Sequence, residues 1–122
     1  MRRSRSIIVL VSILLLALGL AAWGVDYRLS NRVTIENRSG QTITMFTIEV
    51  WGDTYTGTGL ADGKSAAIRI GGRNSDSSYH VFGVFADGTT FDHRFGYVTG
   101  GFGGERATVT VYPAGRVEGT QP

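Results

Sequence analysis

Residues 78–98 read SYHVFGVFADGTTFDHRFGYV, and how this stretch is read decides the fold. Val81 and Phe85 share one phase of a two-residue period, and Phe82 and Val84 share the other. A run apolar on both phases is the pattern of a strand covered on both faces. Asp87-Gly88 separates it from a second aromatic run, and Asp-Gly is the pair that a two-residue type I′ hairpin turn favours. The stretch therefore predicts a hairpin of strands 78–86 and 89–98, with the first strand central in its sheet. A two-residue turn sets Val84 opposite Phe91, Phe82 opposite His93 and His80 opposite Phe95. His80 and His93 then lie diagonally on one face, about 7–8 Å apart.

The same punctuation continues toward the N-terminus. Strands are expected over 33–38, 41–51, 54–61 and 64–70. Ser39-Gly40, Gly52-Asp53 and Asp62-Gly63 fall at the turns between them. In 41–51 the apolar phase changes between Met45 and Phe46, which predicts a β-bulge there, with Ile43 and Met45 facing the core alongside Phe46, Ile48 and Val50. The Gly-rich strand 54–61 reads as a weak edge, open to pairing with an added strand. Residues 71–77 are too polar and flexible for a strand and read as a long loop. Toward the C-terminus, 99–104 is a Gly-rich loop around Phe102, 105–112 is a seventh strand, and Pro113 stops it. Short strands with turns at regular spacing predict an all-β domain. Because the 71–77 loop divides four strands from three, an immunoglobulin-like sandwich over 33–113 is expected, with an up-and-down barrel as the alternative. Residues 26–32 read as a linker and 114–122 as a disordered tail.

Residues 1–25 are of another kind. Arg2, Arg3 and Arg5 precede an uncharged apolar run over 7–25. As a helix that run is about 28 Å long, close to the thickness of a bilayer's hydrocarbon core. Trp23 and Tyr27 fall at its far end, where aromatic residues favour the membrane interface. Two readings stand: an uncleaved signal anchor, and a signal peptide cleaved after Gly19-Leu20-Ala21. The length of the run and the bulk of Trp23 favour the anchor. The arginines then hold the N-terminus in the cytoplasm, and the β domain is periplasmic or extracellular; cleavage would make it a secreted protein.

Composition excludes several functions. The chain has no Cys, so disulfide frameworks, thiol catalysis and Cys-ligated metals are ruled out. From Asp26 onward nine Lys and Arg face ten Asp and Glu, a poor balance for binding nucleic acid. Gly63-Lys64-Ser65 resembles the end of a phosphate-binding loop, but Thr58 stands where the motif needs its first Gly, and a strand follows instead of a helix. Asn37-Arg38-Ser39 fits the N-glycosylation pattern and also suits a turn, so it is assigned no role. Asp53, Asp62 and Asp87 are each accounted for by turn chemistry.

His80 and His93 are candidate metal ligands. A transition metal takes three or four ligands, and Asp92 is expected on the opposite face, so the bland alternative is a ladder of Phe82, Phe91 and Phe95 flanked by two half-exposed histidines. No metal, cofactor or catalytic residue is assigned. Ser78 and His80 share a face without an orienting acid, and no paired carboxylates are evident. Phe102, on its glycine-rich loop, is the candidate partner-binding residue. These observations predict a non-catalytic cell-envelope protein, a membrane-anchored exported β domain serving as an interaction or structural module. A periplasmic carrier of a small ligand or metal is the alternative.

Overall fold

The computed structural model describes residues 2–72, 75–98 and 103–122. Helix α1 spans Arg2–Leu29. Among the described residues eight strands follow, β1 Asn31–Asn37, β2 Ile43–Val50, β3 Asp53–Leu60, β4 Ser65–Ile70, β5 Ser77–Phe85, β6 Thr90–Val98, β7 Arg106–Val111 and β8 Val117–Thr120, with a 3-10 turn at Pro113–Gly115. The expected linker is absent as such: α1 runs through most of it, and Ser30 alone joins α1 to β1.

The strands form two four-stranded sheets, β4-β1-β7-β8 and β3-β2-β5-β6. They make a sandwich, consistent with the immunoglobulin-like architecture expected and not with a single closed barrel. The division between sheets is not the one suggested by the 71–77 loop, because each sheet draws strands from both sides of it. Every pairing is antiparallel except β1 with β7, which is parallel and joins residues 74 apart in sequence. Inward residues alternate along each strand, as in β1 with Val33, Ile35 and Asn37 buried, and in β7 with Ala107, Val109 and Val111 buried.

In the second sheet one inward row runs Gly57–Phe46–Gly83–Phe91 across all four strands. The ring of Phe46 occupies the space a side chain on Gly57 would need, and Phe91 does the same over Gly83. Phe95 covers Gly119 of the facing sheet in the same way. The core is thus filled by aromatic rings laid over glycine backbone, so glycines that read as strand-weakening in sequence are packing partners here.

Two of the expected hairpins are crossovers. Ser39-Gly40 and Asp62-Gly63 connect strands of different sheets. The two crossovers are tied together at one end of the sandwich. Gly40 N donates to Asp62 Oδ1 at 2.9 Å, and the wholly buried Asn37 side chain donates from Nδ2 to the carbonyls of Gln41 at 2.8 Å and Leu60 at 2.9 Å. Its Oδ1 accepts from Ser39 N at 3.0 Å and Ser39 Oγ at 2.6 Å. The true β2–β3 hairpin turns one residue earlier than expected, at Trp51-Gly52, with both residues at positive φ as a type I′ turn requires. A bulky residue at positive φ is costly. Trp51 is held there by burial and by hydrogen bonds from its indole Nε1 to Ser75 O at 2.6 Å and from its amide to Ser77 Oγ at 2.9 Å.

β8 lies within the tail expected to be disordered. It pairs antiparallel with β7, and just beyond it Gln121 reaches β6: its Oε1 accepts from Tyr97 N and its Nε2 donates to Tyr97 O, both at 3.0 Å. The C-terminal residues thereby clamp the edges of the two sheets together.

Candidate functional site

The outward face of β3-β2-β5-β6 presents both polar and half-buried apolar side chains. Register places them in three rows: Thr54–Glu49–His80–Arg94, Thr56–Thr47–Phe82–Asp92 and Thr58–Met45–Val84–Thr90. A register shift in β2 between Ile43 and Met45 produces this face. It lies one step earlier than the bulge expected from sequence. Ile43 thus points inward with Phe46, Ile48 and Val50, while Met45 turns outward and is half-buried. Thr44 fills the irregularity by donating from Oγ1 to Val84 O at 3.0 Å. One corner of the face is charged, with His80 between Glu49 and Arg94. Beside it, Met45, Phe82 and Val84 form a half-buried apolar patch.

The two histidines do not meet. The β5–β6 turn holds three residues: Gly88 N donates to Phe85 O at 2.9 Å, and Phe85 N donates to Thr89 O at 2.8 Å. Gly88 alone takes positive φ, a type I turn closed by a glycine bulge. Asp87 stabilises it by accepting from Thr89 Oγ1 at 2.6 Å and Thr89 N at 2.9 Å, and these bonds, the hydroxyl's first, lower its pKa. The extra residue slips the pairing by one, so that Val81 faces His93 and Phe82 faces Asp92. Such a slip moves side chains to the other face. His93 turns inward and stacks on Phe95 at 6.1 Å, while His80 faces outward. Phe91 and Phe95 point inward and Phe82 outward, so the expected aromatic ladder is divided between faces. His80 Nε2 instead lies 2.6 Å from Asp92 Oδ1, the acid that sequence reasoning had placed on the opposite side. Among the described residues no group of three or more His, Asp or Glu could hold a metal ion.

Gly63 N donates to Asn37 O at 2.7 Å, so that amide is committed to the backbone and not presented to a phosphate. Asn37, the acceptor of the glycosylation pattern, has both side-chain heteroatoms buried in hydrogen bonds. Phe102 lies outside the described residues.

No family model and no curated protein matches this chain. Among solved structures, the NMR structure of a protein from Eubacterium rectale is similar, with a TM-score of 0.53 and 16% identity over 80% of this chain and 92% of that one. At that identity the likeness is one of fold.

Sequence reasoning missed the His80–Asp92 pair and the role of Asn37. The signal for the first was present in the Thr89 hydroxyl and the spacing of Ala86, Asp87 and Gly88, which suit a three-residue loop as well as a two-residue one. The second had only a generic cue, an Asn two residues before a Ser at a strand end.

Proposed function

We propose that this chain is a membrane-anchored, exported and non-catalytic β domain that serves as an interaction module of the cell envelope. The observation that carries the proposal is Ser4–Gly24, a stretch long and apolar enough to cross a membrane, none of which is buried against the sandwich. Among the described residues the apolar side chains of that stretch are exposed, and a bilayer covers such a surface at a helix's length. A signal sequence passes the same test of length and composition, and the intact run up to Trp23 favours retention. The N-terminal arginines favour a cytoplasmic N-terminus, which puts the sandwich outside. The non-catalytic reading rests on the exposed face, where among the described residues His80 is hydrogen-bonded to Asp92 and not to a hydroxyl nucleophile. The patch of Met45, Phe82 and Val84 with its charged corner is the surface offered to a partner. The carrier alternative loses the shared histidine face that supported it.

The test is alkaline extraction of membranes combined with protease treatment of intact and lysed cells. The expected result is a chain that stays in the pellet, is cut from outside, and still yields peptides from residues 6–21. A mature N-terminus at Ala22 would overturn the anchor, and cleavage only after lysis would overturn the topology.

A further inference from the structure

The edge strands of the two sheets are β3 and β6 in one, and β4 and β8 in the other. An edge presents main-chain donors and acceptors to any strand that comes alongside, and proteins blunt it with charge, irregularity or a cover. Three of these edges are blunted in that way. β4 carries Arg69, and the short β8 carries Glu118. β6 carries Asp92, His93 and Arg94, and Gln121 takes up both main-chain groups of Tyr97. β3 is different. From Thr54 to Leu60 it holds no charge and no proline.

The register fixes which groups of β3 point outward. In an antiparallel ladder every second residue exchanges both its bonds with the partner strand, and the residues between turn theirs the other way. The two-residue turn at Trp51-Gly52 makes Val50 and Asp53 a bonded pair, and Ile48 with Tyr55 and Phe46 with Gly57 follow. Thr54, Thr56 and Thr58 therefore aim their N–H and C=O groups away from β2, and among the described residues no strand pairs with that edge. Their side chains are exposed as well. Gly59, at φ 67°, ends the regular stretch.

We infer that β3 pairs antiparallel with β3 of a second copy of this chain, about a two-fold axis at Thr56. The stretch is complementary to itself: Thr56 faces Thr56 of the second copy, and Thr54 faces Thr58 on either side of it. Each pair exchanges two main-chain bonds, and threonine opposite threonine is a favourable cross-strand pair. Between them Tyr55 meets Gly57, which brings no side chain against it. The two Asp53 carboxylates then stand about 20 Å apart along the strands, and sliding the register toward the turn would bring them together. A foreign peptide is selected through pockets for its alternate side chains. A row of short threonines selects little in such a peptide, whereas it matches itself.

Confinement to one membrane raises the effective concentration of two copies, a support that rests on the anchor reading above. The two-fold axis of an antiparallel pair stands perpendicular to its sheet, so both helices enter one membrane when the joined sheet lies parallel to it. α1 leads into β1 of the other sheet through Ser30 alone, which puts that sheet on the membrane side. The Met45, Phe82 and Val84 patches of both copies then point away from the membrane on one continuous surface.

The chain has no Cys, so an introduced thiol is the only one. Full-length Thr56→Cys, reconstituted in lipid vesicles and mildly oxidised, should form a disulfide-linked dimer, since facing Cα atoms in such a pair lie about 5.5 Å apart. Thr54→Cys alone should not, because its two copies stand about 14 Å apart, but Thr54→Cys reconstituted together with Thr58→Cys should. Thr56→Lys sets two ammonium groups against each other. The mass of the detergent-solubilised chain should fall to half that of the parent, with its circular dichroism spectrum unchanged. A monomeric parent, a Thr56→Lys chain that stays dimeric, or Thr54→Cys alone cross-linking as readily as Thr56→Cys would overturn the inference, as would a Thr56→Cys thiol that links only to a different protein. Flotation of the vesicles reads the anchor separately. A chain that does not float fails the anchor reading, and cross-linking in detergent still tests the pairing; one that floats without a Thr56→Cys cross-link fails the pairing alone.

Discussion

Replacing Gly83 by Ala adds one methyl group where the structure has no room for it. A Cβ at Gly83 would lie 2.2 Å from Cζ and 2.4 Å from Cε1 of Phe91. Gly83 does not take positive φ, so the backbone accepts alanine and the cost is steric. Phe91 has little freedom to give way: it is buried and packs on Phe85 with ring centroids 5.2 Å apart. Overpacking of this kind costs about 1–3 kcal/mol. Against it stands a gain of about 0.5–1 kcal/mol from the lower entropy of the unfolded chain. A net loss of about 1–2 kcal/mol should lower the melting temperature by about 5–15 °C for a domain of this size. The assay is thermal unfolding by circular dichroism of the full chain in detergent. It is run on Gly83→Ala, on Phe91→Leu and on the double variant. Leucine leaves room for the methyl, so the double variant should be no less stable than Phe91→Leu alone. A Gly83→Ala protein as stable as the parent, or two costs that simply add, would refute the account of the core as rings seated on glycine.

Three further outcomes follow from the same geometry. Asn37→Ala strands the carbonyls of Gln41 and Leu60 in a buried site, and chemical denaturation should show a loss of about 2–4 kcal/mol. Tyr79→Phe removes a buried hydroxyl that has no hydrogen-bond partner among the described residues, so stability at neutral pH should be unchanged or raised. Burial, with Glu105 adding to it, pushes the Tyr79 pKa from 10.0 to about 12, so folding retains a proton that the unfolded chain has lost. Stability should be whole below pH 10 and decline by about 2–3 kcal/mol as pH rises to 12, and Tyr79→Phe should flatten that decline in a pH series of melts. Removal of residues 117–122 takes away β8 and the Gln121 clamp on Tyr97; hydrogen exchange should then quicken in β7 and at the end of β6, and unchanged exchange would show that the tail is dispensable.

The strands themselves were legible because alternation and turn residues both mark them. Seven of the eight fall within about two residues of their expected ends, the usual spread of such boundaries. What sequence left open was which strands pair and in which register. Asp62-Gly63 looks like a hairpin turn and is a crossover, because a turn dipeptide fixes only local backbone direction and not the sheet to which the next strand goes. Asp87-Gly88 suits both a two-residue and a three-residue loop, and that single residue decides whether His80 meets His93 or Asp92. β8 gave no signal: Val117 is its one buried apolar side chain, and its remaining support comes from main-chain pairing with β7 and from a ring of the opposite sheet resting on Gly119.

The parallel pairing of β1 with β7 also sets a timetable. A ribosome makes β1 among the first residues after the helix, yet β1 lies inside its sheet, between β4 and β7. Its neighbour on one side, β7, is complete only after five intervening strands have been synthesised. Until then β1 has an unpaired edge and the first sheet cannot close, so the domain must assemble late and as a unit, not strand by strand. A first sheet built this way stays open until β7 is made. That is the state in which a polypeptide can be threaded through a narrow pore, and it hardens only when its last strands arrive.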